Sequence, residues 1–229
     1  MTDRQLALIT GASRGIGKAV ADALGDTHDL LLGGRDEKAL SSLAAELPSA
    51  RPWVAELTDQ AALTAATAGI DRLDVLVHSA GISRLGALLD LTPDVWRETY
   101  ELNVVAVAEL TRLLLPALRA AAGHVVLINS GQGLNANARW GAYAASKHAL
   151  RAYGNVLRAE EEANGVRVTT VFPGRTATDM QREVREFEGA PYEPDRYMRP
   201  ESVADVVKAA VATPRDAHVH ELVIRPMSR

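Results

Sequence analysis

The chain contains no cysteine. That excludes disulfides, thiolate-ligated metals and a thiol nucleophile. Basic residues are not in excess: 25 Lys and Arg stand against 29 Asp and Glu, for a formal charge of −4. That balance argues against a nucleic acid or an anionic membrane as the main partner. No run reaches 18 apolar residues, so no membrane span is expected. Aromatic residues make up only 4%, which makes any local cluster of them informative. Lysine is scarce as well, with four against 21 arginines. What remains is ordinary for a globular protein with a full core: 47% apolar and 24% charged residues over 229 positions. The N-terminus enters a strand within five residues, which leaves no room for a signal peptide, and a cytoplasmic location is expected.

Strand-like and helix-like segments alternate along the chain. Strands are expected near 5–9, 28–33, 51–55, 73–77, 124–128, 166–172 and 219–224, and helices near 16–25, 37–46, 59–68, 94–119, 142–163 and 200–212. Val75–Val77, Val125–Ile128 and Val168–Phe172 run without polar alternation, as do strands covered on both faces. The expected fold is α/β: a doubly wound parallel sheet of about seven strands with helices on both faces. With no repeat or flexible linker, residues 1–229 are expected to form one domain. The least regular segment, 174–199, holds four of its Gly and Pro residues together with Met180, Phe187, Tyr192, Tyr197 and Met198. A connection of that length reads as a lid or binding loop, or as a surface excursion packed on itself.

Two motifs carry chemistry. Thr10-Gly11-Ala12-Ser13-Arg14-Gly15-Ile16-Gly17 follows an apolar strand and opens a helix. Gly11 permits a tight turn, Gly15 lets a pyrophosphate approach, and Gly17 lets the helix pack on the strand. The free amides and dipole of the first helical turn favour an anion. A plain glycine turn is the alternative. The second motif is Tyr143-Ala144-Ala145-Ser146-Lys147, whose phenol and ammonium share one helix face at i and i+4. An ordinary exposed helix pair is the alternative there. Ser130 follows the strand 125–128, at the sheet edge where such folds bind ligands; it would otherwise be a turn residue. Asn103 interrupts a long apolar helix and either bends it and holds a water or sits at the surface.

Taken together, Thr10-Gly-x-x-x-Gly15-Ile16-Gly17, Ala80-Gly81, Asn103, Ser130, Tyr143-x-x-x-Lys147 and Pro173-Gly174 resemble a short-chain dehydrogenase/reductase of the compact single-domain kind. The resemblance covers about residues 5–212. It implies a Rossmann-like fold, a nicotinamide dinucleotide at the C-terminal edge of the sheet, and a catalytic tetrad of Asn103, Ser130, Tyr143 and Lys147. It implies cofactor contacts at Gly11, Ser13, Arg14, Gly15, Ile16, Gly17, Arg35, Glu56, Leu57, Ser79, Ala80 and Gly81. Further contacts are implied at Tyr143, Lys147, Pro173, Gly174, Thr176 and Thr178. In that scheme Tyr143 is the general acid and base, Ser130 holds the substrate oxygen, Lys147 lowers the phenol pKa, and Asn103 holds a relay water. A homodimer or homotetramer through helices 94–119 and 142–163 is also implied.

The second strand ends in Gly33-Gly34-Arg35, where the family normally places a discriminating acid. Arg35 and Arg14 would flank a ribose 2′-phosphate, so NADP(H) is expected over NAD, with Asp36 capping the next helix instead. Other departures are Glu56-Leu57 where Asp is usual, His78-Ser79 before Ala80-Gly81, and Thr176 in place of an aliphatic residue. His78 is read as structural, and His218 and His220 lack a third metal ligand, so no metal is expected. The substrate surface is expected from Gln132, Leu134, Asn135, Trp140, Met180, Phe187, Tyr192 and Tyr197, a mixed lining suited to a small, partly apolar carbonyl or alcohol. The expected activity is an NADP(H)-dependent carbonyl reductase or alcohol dehydrogenase. A catalytically silent dinucleotide sensor would not require Tyr143 and Lys147 together. A methyltransferase would want an acid ending the second strand.

Overall fold

The computed structural model describes residues 4–227. Its seven strands are β1 (Gln5–Thr10), β2 (His28–Gly34), β3 (Ala50–Val54), β4 (Val75–His78), β5 (His124–Ile128), β6 (Arg167–Pro173) and β7 (Glu221–Ile224). They form one sheet in the order β3-β2-β1-β4-β5-β6-β7, with every pairing parallel. The order reverses direction between β1 and β4, which opens a crevice at the C-terminal ends of those strands.

Helices cover both faces: α1 (Gly15–Leu24), α2 (Glu37–Glu46), α3 (Gln60–Thr67), α4 (Pro93–Tyr100), α5 (Ala106–Ala121), α6 (Gly141–Glu161), α7 (Asp179–Phe187) and α8 (Pro200–Ala212). Because strand side chains alternate, one sheet makes two cores. Ile9, Leu32, Val77 and Val126 pack with Val20 and Leu24 of α1 and Val203 and Val207 of α8. Their sequence neighbours Leu8, Leu31, Leu76 and Val125 pack on the other side with Leu110 and Leu114 of α5 and Leu150 and Leu157 of α6. The uninterrupted apolar runs follow directly from this double coverage.

Two elements differ from the sequence expectation. The helix expected over 94–119 is interrupted by a π-turn at Glu101–Val105, which contains Asn103. A buried amide seeking partners off the helix axis accounts for the widened turn. The segment 174–199 is not irregular throughout, because α7 occupies Asp179–Phe187 within it. Thr178 caps that helix by accepting from the Gln181 amide at 3.2 Å. Met180, Val184 and Phe187 supply its i, i+4, i+7 stripe, a signal masked by the flanking prolines and glycines.

Candidate active site

The glycine turn joins β1 to α1 in a conformation that side chains resist. Gly11 has φ +67°, and a Cβ there would lie 2.9 Å from the Ala80 amide nitrogen. A Cβ on Gly17 would lie 2.7 Å from the Gly11 carbonyl carbon, so helix and turn touch backbone to backbone. The first turn of α1 carries no acidic residue, and Arg14 at its N-cap makes no side-chain capping bond. The N-termini of α2 and α3 are instead capped by Asp36 and Asp59. The amides of α1 thus present a positive rim to the crevice. Thr10 braces its opposite wall, its hydroxyl accepting from the Ser79 and Ala80 amides at 3.1 and 3.2 Å. Sequence reasoning did not single out that role for Thr10; a hydroxyl at the tip of an otherwise apolar strand was its only signal.

Tyr143 and Lys147 lie on α6 and are 6% and 5% exposed. The Lys147 Nζ sits 5.8 Å from the centre of the Tyr143 ring and donates to the Ile128 carbonyl at 3.0 Å. Ser130 follows β5, and its hydroxyl accepts from the Gln132 amide at 3.1 Å. That leaves its hydrogen free to face the Tyr143 phenol, an interaction that favours phenolate. Burial nevertheless dominates and pushes Tyr143 above the ordinary phenol value, with the Ser130 bond opposing it. The expected lowering by Lys147 is therefore corrected. Burial lowers Lys147 itself to about 8, so each group drifts toward its neutral form.

Asn103 is buried and bonded to protein on several sides. Its Oδ1 accepts from the Ile82 amide at 3.0 Å, and its Nδ2 donates to the Ile82 carbonyl at 2.9 Å and the Ser146 hydroxyl at 3.1 Å. Both amide hydrogens are engaged by protein and clamp the 82 loop, which leaves the second lone pair of Oδ1 for the expected relay water. Gly81 makes room beside it: a Cβ there would lie 3.0 Å from Asn103 Oδ1 and 3.8 Å from Lys147 Nζ. Asn129, unremarked in the sequence, is buried between Ser130 and Lys147 and bonds to both backbones. An amide following an apolar strand was the available signal.

At the other end of the crevice Arg14 reaches Asp179 at 3.4 Å, and Arg35 reaches Glu56 at 3.5 Å. Burial raises the Glu56 pKa, but the Thr58 amide and hydroxyl and Arg35 outweigh it and hold the carboxyl below its usual value. Ser13, Ile16 and Leu57 are half-buried around the glycine turn and the end of β3. Asp36 caps α2 by accepting from the Ala39 amide at 3.0 Å, as expected. His78 is buried against the Thr111 hydroxyl at 2.9 Å, and burial drives its pKa to about 3.

At the end of β6, Pro173 is buried, and the Gly174 amide donates to the Ile224 carbonyl at 2.8 Å. The Thr176 and Thr178 hydroxyls donate to the carbonyls of Gly174 and Thr176 at 3.1 and 3.3 Å. The Thr176 hydroxyl therefore keeps only lone pairs for a ligand. A Cβ on Gly15 would lie 3.3 Å from the Thr178 methyl, so α7 starts directly over the glycine turn.

The expected substrate surface is only partly assembled. A cavity of about 250 Å³ lies between α7 and the 83–91 loop, lined by Leu85, Leu91, Val95, Val184 and Phe187 among others. Of the eight expected residues Phe187 alone lines it, stacked under the Arg139 guanidinium at 4.2 Å. Trp140 lies 5.7 Å from the Tyr143 ring, and Gln132 accepts from the Asn137 amide at 3.2 Å. Met180 and Leu134 are half-buried, and Asn135 is exposed. Tyr192 and Tyr197 pair with each other at 5.7 Å, and neither lines the cavity between α7 and the 83–91 loop. Sequence reasoning does not find the 83–91 loop, although its four leucines, Leu85, Leu88, Leu89 and Leu91, are an available signal. A second cavity, about 350 Å³, lies between α1 and the start of α7, lined by Gly15 and Thr178 beside the glycine turn, by Lys18, Asp22 and Arg182, and by Tyr192.

A sequence profile described as short chain dehydrogenase matches residues 5–189. The bovine protein named dehydrogenase/reductase SDR family member 7B is 38% identical over 201 residues, covering 81% of this chain and 62% of that protein. This chain therefore spans less than two thirds of that relative. Among solved structures, an alcohol dehydrogenase from Thermococcus sibiricus complexed with 5-hydroxy-NADP superposes with a TM-score of 0.89 at 26% identity, covering 98% of this chain and 97% of that one. Actinorhodin polyketide ketoreductase, as a point variant with NADPH, superposes with a TM-score of 0.91 at 26% identity, covering 99% and 97%. No helix among the described residues is long and apolar enough to cross a membrane.

Proposed function

The chain belongs to the short-chain dehydrogenases, a family of oxidoreductases, and from that membership we propose that it transfers hydride between NADP(H) and a small carbonyl or alcohol. The observation that carries this reading is the convergence of Ser130, Tyr143 and Lys147 beside an uncapped helix N-terminus. The donor set suits a dinucleotide. The α1 amides and the Gly11–Gly15 turn would hold its diphosphate, and Ser79–Gly81 and Pro173–Thr178 would flank its remaining length. Bound there, the reduced dinucleotide supplies the hydride.

The residues of the chain do the proton chemistry. The Ser130 hydroxyl orients the substrate oxygen, and Tyr143 delivers a proton to that oxygen as negative charge develops on it. In the alcohol direction the phenolate takes the proton back. Lys147, held by the Ile128 carbonyl, places a cation near the phenol whenever it is protonated. Segment 174–199, with α7 above the glycine turn, acts as the lid of a one-domain enzyme, and α5 and α6 carry its homo-oligomeric contacts.

NADP(H) is favoured over NAD by Arg14 and Arg35. Both guanidiniums are exposed, at 73% and 80%, and their carboxylate contacts are long. Such exposed pairs contribute about 0–1 kcal/mol, so a 2′-phosphate displaces them readily. The two solved structures bound to NADP derivatives agree with that preference. The test follows NADPH and NADH absorbance with a panel of aldehydes, ketones and 3-oxo esters. Consumption of NADPH, faster than NADH, is expected. No consumption with any carbonyl overturns the activity; equal or faster NADH consumption overturns the roles of Arg14 and Arg35.

A further inference from the structure

Ser130 lies at the short turn that leaves β5, yet its hydroxyl has to meet a phenol carried by a different element. What fixes it is Asn129. This side chain is 4% exposed, and its backbone amide donates to the Val171 carbonyl at 2.8 Å, anchoring it to β6. Its Nδ2 donates to the Lys147 carbonyl on α6 at 2.9 Å, and its Oδ1 accepts from the Ser130 amide at 2.8 Å. The amide orientation is forced, since one partner only accepts and the other only donates. Lys147 answers with its own side chain, donating to the Ile128 carbonyl at 3.0 Å. The end of β5 and one turn of α6 are thus cross-linked in both directions, by two side chains each bonding the other element's backbone. Gly133 closes over the link: a Cβ there would lie 2.9 Å from the Lys147 carbonyl oxygen and 3.0 Å from Asn129 Cγ.

We propose that Asn129 is a positioning residue that sets the Ser130 hydroxyl against the Tyr143 phenol by tying the end of β5 to the Lys147 turn of α6. Its importance for turnover rests on the reading given above for Ser130 and Tyr143; the placement itself does not. Without the amide, Ser130 is held only through its main chain and the Gln132 contact. Its hydroxyl then loses register with the phenol oxygen. A displacement of about 1 Å in such a group lowers turnover by roughly 100-fold.

Two measurements on Asn129→Ala test this. The first titrates the phenol in the apoprotein by ultraviolet difference absorbance against the corresponding Tyr143→Phe protein. The Ser130 bond favours phenolate, so loosening it moves the Tyr143 midpoint upward; a merely structural role leaves the midpoint in place. The second is a double-mutant cycle with Ser130→Ala. Asn129→Ala is expected to lower kcat roughly 100-fold in the parent and under about threefold in the Ser130→Ala background, with NADPH affinity within about threefold throughout. An unmoved midpoint, or losses that multiply, overturns the proposal. Asn129→Ser, whose hydroxyl is too short to span both partners, gives the same two readouts if the alanine variant does not fold. If the parent consumes no NADPH with any carbonyl, the catalytic reading fails, while the apoprotein titration still decides whether Asn129 places Ser130.

Discussion

Tyr143 and Lys147 show how burial can reverse an inference made from charge alone. Their i, i+4 spacing is legible in the sequence, and so is the expectation that a cation stabilises a phenolate. Burial is not legible residue by residue, and it raises the phenol and lowers the ammonium to about 8. The neutral phenol is the form that donates a proton. Carbonyl reduction is therefore expected to hold its rate through neutral pH and to fall on the alkaline side, as phenol is lost. Alcohol oxidation, which needs phenolate, is expected to rise with pH. Profiles of kcat/KM in both directions check this, and parallel profiles would contradict it. Tyr143→Phe removes the proton and keeps the ring, so turnover should drop by about 10²–10⁴-fold. NADPH affinity, measured by fluorescence titration, should stay within a few-fold. Asn103 carries the same lesson: its type and position could be read from the chain, but not its three bonds to protein, because Ile82 and Ser146 are distant in sequence.

At the level of elements, the glycine turn was the most legible feature because its reasons are local. The α1 boundary, the positive φ values of Gly11 and Gly15 and the close approach of Gly17 all follow from eight consecutive residues. The π-turn at 101–105 and helix α7 were less legible, because each is stabilised by contacts from elsewhere: Asn103 by the 82 loop, and α7 by packing through Gln181 and Val184. Gly17→Ala separates local propensity from packing. In a helix interior, Ala is favoured over Gly by about 1 kcal/mol, which alone would stabilise the protein. The added carbon would instead lie 2.7 Å from the Gly11 carbonyl carbon, against backbone that cannot rotate away. Packing wins, since overpacking of this kind costs about 1–3 kcal/mol or more. The expected outcome is a lower urea midpoint together with weaker NADPH binding, because the displaced turn is the proposed phosphate cradle. A midpoint unchanged or raised would mean that the turn yields without cost.

For the whole molecule, the parallel sheet was legible from its apolar runs, and the strand order places the crevice where β1 and β4 part. The same double coverage buries two histidines at opposite ends of the sheet, His78 closing β4 and His124 opening β5. They are 3% and 2% exposed, and both have pKa values lowered to about 3, chiefly by burial. In the unfolded chain each titrates near its ordinary value of 6.5. The folded pKa is the depressed one, so the unfolded state binds more protons as pH falls. Their stabilising contribution is complete above about 6.5 and is lost progressively down to about 3. Each histidine sets a slope of about 1.4 kcal/mol per pH unit within that window, and the two together about 2.7. His28 and His218 are lowered by burial as well and add in the same direction. Between pH 6 and 5 the carboxylates are still largely ionised, so histidine burial dominates the loss there. Urea unfolding at pH 7, 6 and 5 should therefore show stability falling steeply over the lower step. Replacing His78 with Gln, which can still bond the Thr111 hydroxyl, should flatten that slope by about half of the pair's contribution. An unchanged slope would show that His78 is protonated in the folded protein.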